Sequence, residues 1–280
     1  MPDIRLTLLT ENTAKGRGIL GEHGLAYWIE TPDGPVLFDT GQGQTLFANA
    51  ERCGIDLSCT TAVVLSHGHY DHVGGLEALL KIAPAARVHL HPDALRPKYS
   101  GTANGRPHPV NLPYLTEGKL QREAAGCVYN RGPSRVNTYL NLTGEVPRTH
   151  TYEDTGGAFY LDPEGRKPDP IYDDQSLYFQ TPQGTVLILG CAHAGVVNTM
   201  RHVAQLCETN HLHAVIGGMH LLHAADFRLE KTYAVFREMG VQLIAPCHCT
   251  GMKAVAGFWN AFPGHCVEAH AGKTFTFMLP

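Results

Sequence analysis

Short apolar runs of strand length recur along the chain, separated by longer stretches whose apolar positions fall three and four residues apart. The short runs predict strands at residues 4–9, 25–30, 36–39, 62–66 and 88–91 in the first half, and at 176–180, 185–189, 214–217, 242–245 and 273–278 in the second. The longer stretches predict helices at 44–52, 72–81, 197–208, 227–239 and 252–261. Strands come in pairs near the start of each half and then alternate with helices. That order suits sheets covered by helices, an α/β sandwich, better than an all-β fold. A dinucleotide-binding fold is a weaker reading, because no G-x-G-x-x-G opens a helix after an early strand.

The stretch from about 92 to 170 breaks this rhythm. It is rich in Pro, Gly and Asn with little periodicity, and reads as an insertion of loops and short strands. Long irregular segments within compact domains tend to be lids or linkers. Tyr99, Tyr114, Tyr129, Tyr139 and Tyr152 give this one side chains that can pack, which favours a lid. The chain therefore reads as one domain over residues 1–280 with a lid-like insertion.

Composition narrows the functional classes. The 280 residues are 43% hydrophobic and 17% charged, with a formal net charge of −4, an ordinary globular balance with no global pull toward nucleic acid or anionic membrane. No apolar run approaches the roughly 20 residues of a membrane span. Charges interrupt the first five residues, unlike a secretory signal, so a cytoplasmic location is expected. The eight cysteines form no C-x-x-C pair and are expected to be reduced.

Histidine is the anomaly: the chain has 17, many among glycines at the ends of apolar runs. The densest group follows the predicted strand at 62–66, as Ser66-His67-Gly68-His69-Tyr70-Asp71-His72-Val73-Gly74-Gly75. On an extended turn His67 and His69 point the same way and can share one metal ion. Asp71 and His72 diverge, which suits a second ion beside the first. Gly68 removes a side chain that would crowd the ions. Three imidazoles and a carboxylate form an N/O set that suits zinc, with iron or manganese also compatible.

This run resembles the H-x-H-x-D-H signature of metallo-β-lactamase-fold hydrolases, and the resemblance extends over nearly the whole chain. Asp39, in Leu37-Phe38-Asp39-Thr40-Gly41, resembles that superfamily's strand-end aspartate, which orients a metal-binding histidine. Gly190-Cys191-Ala192-His193-Ala194-Gly195 and Pro246-Cys247-His248-Cys249-Thr250-Gly251 resemble its later ligand motifs. The combination with Glu22-His23-Gly24-Leu25, Asp173-Asp174-Gln175 and Gly217-Gly218-Met219-His220-Leu221 is most similar to the dihydropterin–ribofuranosylaminobenzene 5′-phosphate synthase-like subgroup.

The resemblance implies a four-layer αββα sandwich and two divalent metal ions. It implies that His193 joins His67 and His69, and that His248 joins Asp71 and His72. The chain departs from the common pattern where Asp173-Asp174-Gln175 replaces a Gly-His, and Gly190-Cys191 replaces a Gly-Asp. Asp174 is the favoured extra ligand and catalytic carboxylate, with Asp173 and Cys191 as alternatives. His220 is expected to bind substrate or move a proton, or else to be a buried structural residue; His23 is a weaker case of the same kind. Cys247 and Cys249 flank His248, and strand alternation is expected to turn both away from the site.

The implied activity is hydrolysis of an ester, phosphoester or amide by water activated between two ions. A pterin-related synthase and a non-enzymatic binding protein are the competing readings. Residues 96–150 hold eight basic and three acidic residues, leaving 14 against 23 elsewhere. That local excess suggests a small anionic substrate, with Arg131 and Arg135 as its expected partners. No nucleic-acid or membrane partner is expected.

Overall fold

Alternation along the strands sorts their apolar side chains onto two faces, and both faces are covered. The computed structural model describes residues 2–102 and 105–280. In chain order come β1 (Asp3–Thr10), β2 (Ala26–Glu30), β3 (Val36–Phe38), α1 (Leu46–Arg52), β4 (Ala62–Val64), α2 (Tyr70–Val73), α3 (Leu76–Ile82) and β5 (Arg87–Leu90). The middle of the chain adds β6 (Tyr99–Thr102), β7 (Gly105–Pro109), α4 (Glu117–Glu123), β8 (Gly126–Tyr129), β9 (Ser134–Arg135), β10 (Asn141–Leu142) and β11 (Phe159–Tyr160). The last part contains β12 (Leu177–Thr181), β13 (Gly184–Leu189), α5 (Val196–Leu206), β14 (Leu212–Gly218), α6 (Asp226–Glu238), β15 (Leu243–Cys247), α7 (Met252–Ala261) and β16 (Thr274–Met278).

The strands form a seven-stranded sheet in the order β16-β1-β2-β3-β4-β5-β8 and a six-stranded sheet in the order β15-β14-β13-β12-β10-β9. Ile4, Leu6 and Leu8 of β1 meet Leu177 and Phe179 of β12 and Val186 and Ile188 of β13 in a core between the sheets. The alternate residues face outward under helices. Leu187 and Leu189 pack with Val197, Met200, Phe236 and Phe258 on one side. Leu9, Leu37 and Val63 pack with Leu46, Leu76 and Leu79 on the other. The result is the expected helix–sheet–sheet–helix sandwich. No helix of the described residues is long and apolar enough to cross a membrane, and all eight cysteines are free.

Each of the ten predicted strands is present, with ends shifted by a residue or two. The helix expected over 72–81 is split into α2 and α3 at Gly74-Gly75. A Cβ on Gly74 would lie 2.6 Å from the Gln42 Cα, and one on Gly75 2.6 Å from the Thr40 carbonyl oxygen. The two glycines thus let the metal-motif turn lie directly against the loop that follows β3.

The 92–170 segment is less irregular than its composition suggests. β8 pairs with β5 at the edge of the first sheet, and β9 and β10 extend the second. Only β6, β7 and β11 form a separate three-stranded sheet, which stands beside the site described next. The strands escape a periodicity search because they are two to five residues long.

Candidate metal centre

β3 and β4 run parallel in the first sheet, and β13, β14 and β15 run parallel in the second. Their C-terminal ends therefore open along one rim, and the loops leaving them carry Asp39, His67–His72, Cys191, His193, His220 and His248. Ligands of α/β sheets gather at this end because the loops there converge. Several of the turns are sharp: Asp39, Ala192, His220 and His248 all adopt positive φ.

The side chains converge as two adjacent clusters. In the first, ligand atoms of His67, His69 and His193 lie within 4.8 Å of one another. His67 Nε2 and His69 Nδ1 stand 2.9 Å apart, near the roughly 3.3 Å that two nitrogens on one tetrahedral ion would adopt. His193 Nδ1 donates to the Thr155 carbonyl oxygen at 2.8 Å, which leaves its Nε2 buried without a protein partner. Burial holds His67 and His193 well below the usual imidazole range and takes His69 down to about 3. All three are neutral and offer lone pairs.

The second cluster is mixed. Asp71 Oδ2 lies 3.8 Å from His72 Nε2 and 3.5 Å from His248 Nε2. His72 Nε2 is also 3.1 Å from Cys191 Sγ. Burial opposes ionisation of Asp71, but His72, His23 and His248 outweigh it and hold its carboxyl well below the usual range. Burial likewise opposes a charge on His72, yet Asp39 and Asp71 raise it to about 9. The carboxylates that favour a proton at His72 would favour a cation there.

Supporting residues fix each ring. Asp39 accepts His72 Nδ1–H at 2.7 Å and both the Ser66 amide and hydroxyl at 2.7 Å. Ser66 Oγ lies 2.9 Å from His67 Nδ1. His248 Nδ1 donates to Asn12 Oδ1 at 2.8 Å, and its amide to Glu11 Oε1 at 2.7 Å. With Nδ1 engaged in this way, His67, His72, His193 and His248 turn Nε2 inward, and the Nε2 atoms of His193 and His248 are buried without a hydrogen-bond partner. Unsatisfied buried nitrogens are costly, and where several converge beside a carboxylate and a thiol a bound cation accounts for them. The donor set and its orphaned atoms fit divalent metal ions: His67, His69 and His193 would hold one, and Asp71 with His72 and His248 would hold a second beside it.

Other expected site residues are placed differently. Asp174 does not reach the clusters or the cavity above them. Its Oδ2 accepts the Ala194 amide at 2.8 Å, and burial raises its carboxyl to about 6. Through Oδ2 it braces the His193 loop, while its Oδ1 is buried without a hydrogen-bond partner. Asp173 accepts the Gly68 amide at 2.8 Å and the Lys98 ammonium at 2.6 Å, and Gln175 donates to the Leu65 carbonyl at 2.9 Å. The Asp173-Asp174-Gln175 run is thus a clamp on two ligand loops. Of the three alternatives, only Cys191 lies among the ligand atoms: it belongs to the groups His67/His72/Cys191, Cys191/His193/His220 and Cys191/His248/Cys249.

His220 lies beside His193, with ring centroids 4.2 Å apart, and its Nδ1 is buried without a partner. Burial lowers it to about 4. His23 reaches Asp71 Oδ2 at 3.1 Å from the exposed side. Cys249 corrects the alternation argument. Cys247 does turn inward between the sheets, 3.9 Å from the Tyr27 hydroxyl. His248, however, takes φ 51° and starts a 3-10 turn, which brings Cys249 back to the site.

Above the clusters lies a cavity of about 860 Å³, with His69, Asp71, Cys191, His193, His220 and His248 on its floor. Its lining also includes Tyr70, Val110, Phe159, Leu222, Met252, Val255 and Trp259. Ser100, His108 and Phe159 bring the small sheet to its edge. Arg131 and Arg135 do not line it. Arg131 is exposed and pairs with Glu145 and Asp93, and Arg135 is exposed on edge strand β9. None of the eight basic residues of 96–150 reaches the cavity wall; its lysine, Lys15, is paired with Glu268.

Comparison with known proteins agrees with this architecture. The chain is 27% identical over 274 residues to 7,8-dihydropterin-6-methyl-4-(beta-D-ribofuranosyl)-aminobenzene-5'-phosphate synthase of Methanocaldococcus jannaschii, covering 91% of this chain and 90% of that protein. The crystal structure of Tm1679, described as a metal-dependent hydrolase of the beta-lactamase superfamily, matches with a TM-score of 0.82 and 32% identity over 97% of this chain and 98% of that one. The metallo-beta-lactamase fold protein YhfI from Bacillus subtilis shares the fold at 14% identity, with a TM-score of 0.62 over 99% of this chain and 100% of that one. The family model of the metallo-beta-lactamase superfamily matches residues 20–232, and the chain belongs to that superfamily.

Proposed function

We propose that this chain is a two-metal hydrolase acting on an ester, phosphoester or amide of a small molecule with an apolar or aromatic body. The observation that carries the reading is the pair of ligand clusters, with inward Nε2 atoms lacking partners, on the floor of a single cavity of about 860 Å³. Bound divalent ions would supply Lewis acidity, activating water near neutral pH and polarising a carbonyl or phosphoryl oxygen.

The chain's own residues do the rest. Asp39, Asn12 and the Thr155 carbonyl hold the ligand rings in one orientation. His220, held neutral by burial and lining the cavity, stands where its ring can donate or accept one proton from a bound substrate. Phe159, Leu222, Met252 and Trp259 present apolar surface to the cavity and favour an apolar group on the substrate. An anionic substrate loses the support of Arg131 and Arg135, which face solvent elsewhere.

Group transfer is the second reading, favoured by the similarity to the Methanocaldococcus synthase. The test is reconstitution with zinc, manganese or iron, elemental analysis, and a screen of aryl and acyl esters and phosphodiesters. About two ions per chain are expected, with turnover abolished in His69→Ala. Incorporation of oxygen-18 from labelled water marks hydrolysis, and its absence from product marks transfer. No bound metal after reconstitution would leave a binding protein on this fold.

A further inference from the structure

The turn at His248 places a second sulfur beside the second cluster. β15 ends at Cys247, and a continued strand would send Cys249 the same way, into the core. Instead φ 51° at His248 reverses the chain, and the residues 248–250 form a single 3-10 turn. Cys249 Sγ then lies with Cys191 Sγ and a His248 ring nitrogen inside one 4.8 Å group. It lines the cavity floor, with its thiol 3.6 Å from the Cys191 carbonyl oxygen.

Neighbouring backbone has made room for that thiol. A Cβ on Gly218, at the end of β14, would stand 2.7 Å from Cys249 Sγ and 2.4 Å from the Gly190 carbonyl oxygen. The His248 side chain is 1% exposed, and its Nε2 has no hydrogen-bond partner, so an unsatisfied ligand nitrogen points into the same space. Cys191 and Cys249 thus share one group with His248, which stands 3.5 Å from the Asp71 carboxylate, and Cys191 also lies 3.1 Å from His72 Nε2. Cys191 also borders His67 and His193 of the adjacent cluster, whereas Cys249 groups only with Cys191 and His248.

We infer that Cys249 is a metal ligand of the second cluster and that, with Cys191, it makes this a two-thiolate site selective for zinc or cobalt(II) over manganese or magnesium. The inference rests on the metal-dependent reading above. Each thiol releases its proton to solvent as its sulfur binds, with no change of oxidation state. Soft sulfur ligands disfavour the harder ions, whereas imidazole and carboxylate alone discriminate less. The two clusters would then differ in metal preference although they share a floor.

The test loads the full-length metal-free protein with cobalt(II), measures bound cobalt by elemental analysis and records the near-ultraviolet sulfur-to-cobalt charge-transfer band. The band is expected in the wild type, at about half intensity in Cys249→Ser, and absent in the Cys191→Ser, Cys249→Ser double variant. A band unchanged in Cys249→Ser overturns the inference. A second measurement needs no substitution: alkylation by iodoacetamide, read by peptide mass spectrometry with and without cobalt. Cobalt is expected to slow modification of Cys249 by at least about tenfold, while exposed Cys59 reacts as before. An unchanged Cys249 rate overturns the inference, even with cobalt bound. Failure to bind cobalt at all overturns both this inference and the metal-dependent reading.

Discussion

The two ligand clusters share a cavity floor but are built on different physical terms. His67, His69 and His193 are neutral imidazoles buried from solvent, and the ring of His193 is aimed by a backbone carbonyl. Asp71, His72 and His248 carry a carboxylate with Cys191 alongside, border the exposed His23, and are aimed by the side chains of Asp39 and Asn12. The first depends on packing and loop geometry. The second depends more on charge and on side chains that a single substitution can remove. Ser66, which joins Asp39 to His67, and Cys191 between them link the two, so they are expected to fail largely, not wholly, separately.

Asp71→Asn tests this most severely. It removes the carboxylate of the second cluster and leaves the three imidazoles of the first untouched. Bound metal is expected to fall from about two ions to about one. Turnover should drop by more than the roughly 10–100-fold that a supporting residue costs. Loss of both ions would show that the clusters form one cooperative unit.

Supporting residues sharpen the contrast further. Asp39→Ala deprives His72 Nδ1 and Ser66 of their charged acceptor and should weaken binding of the second ion by about 10–100-fold. Asn12→Ala removes a neutral acceptor from His248, so its effect should be smaller, about tenfold or less, because charge-assisted hydrogen bonds are roughly twice as strong. Competition with a chromogenic chelator ranks the two, and the reverse order would contradict the role given to charge. The smallest effect belongs to the Arg131→Ala, Arg135→Ala double variant. Its exposed pairs with Glu145 and Asp93 are each worth below about 1 kcal/mol. Denaturation and kcat/KM, for charged and neutral substrates alike, should stay near wild type.

Motifs that are contiguous in the chain were readable in advance. His67, His69, Asp71 and His72 fall within six residues, and strand–turn–helix patterning placed them at a strand's end. His193, His248 and Asp39 were legible through family resemblance, because each follows a strong apolar strand. The role of Asp174 was not legible, because an acidic residue before a strand looks the same whether it binds an ion or a backbone amide. Its contact with Ala194 spans 20 residues. The arginines of 96–150 were judged by local charge, yet β8, β9 and β10 carry much of that segment into the sheet edges.

Periodicity and spacing determined the layers, the ten main strands and the core of the metal motif, since these depend on which residues bury apolar surface and which lie close in sequence. Only the tertiary structure decided what the distant loops do when they meet: that Cys191 lies among the candidate ligand atoms while Asp174 accepts the Ala194 amide, that Cys249 turns back toward Cys191, and that much of the cavity lining is apolar. The physical reason is local in one case and global in the others. A single positive φ at His248 cancels the strand alternation that sequence reasoning assumes. Cross-sheet contacts between residues far apart in the chain leave no periodic trace.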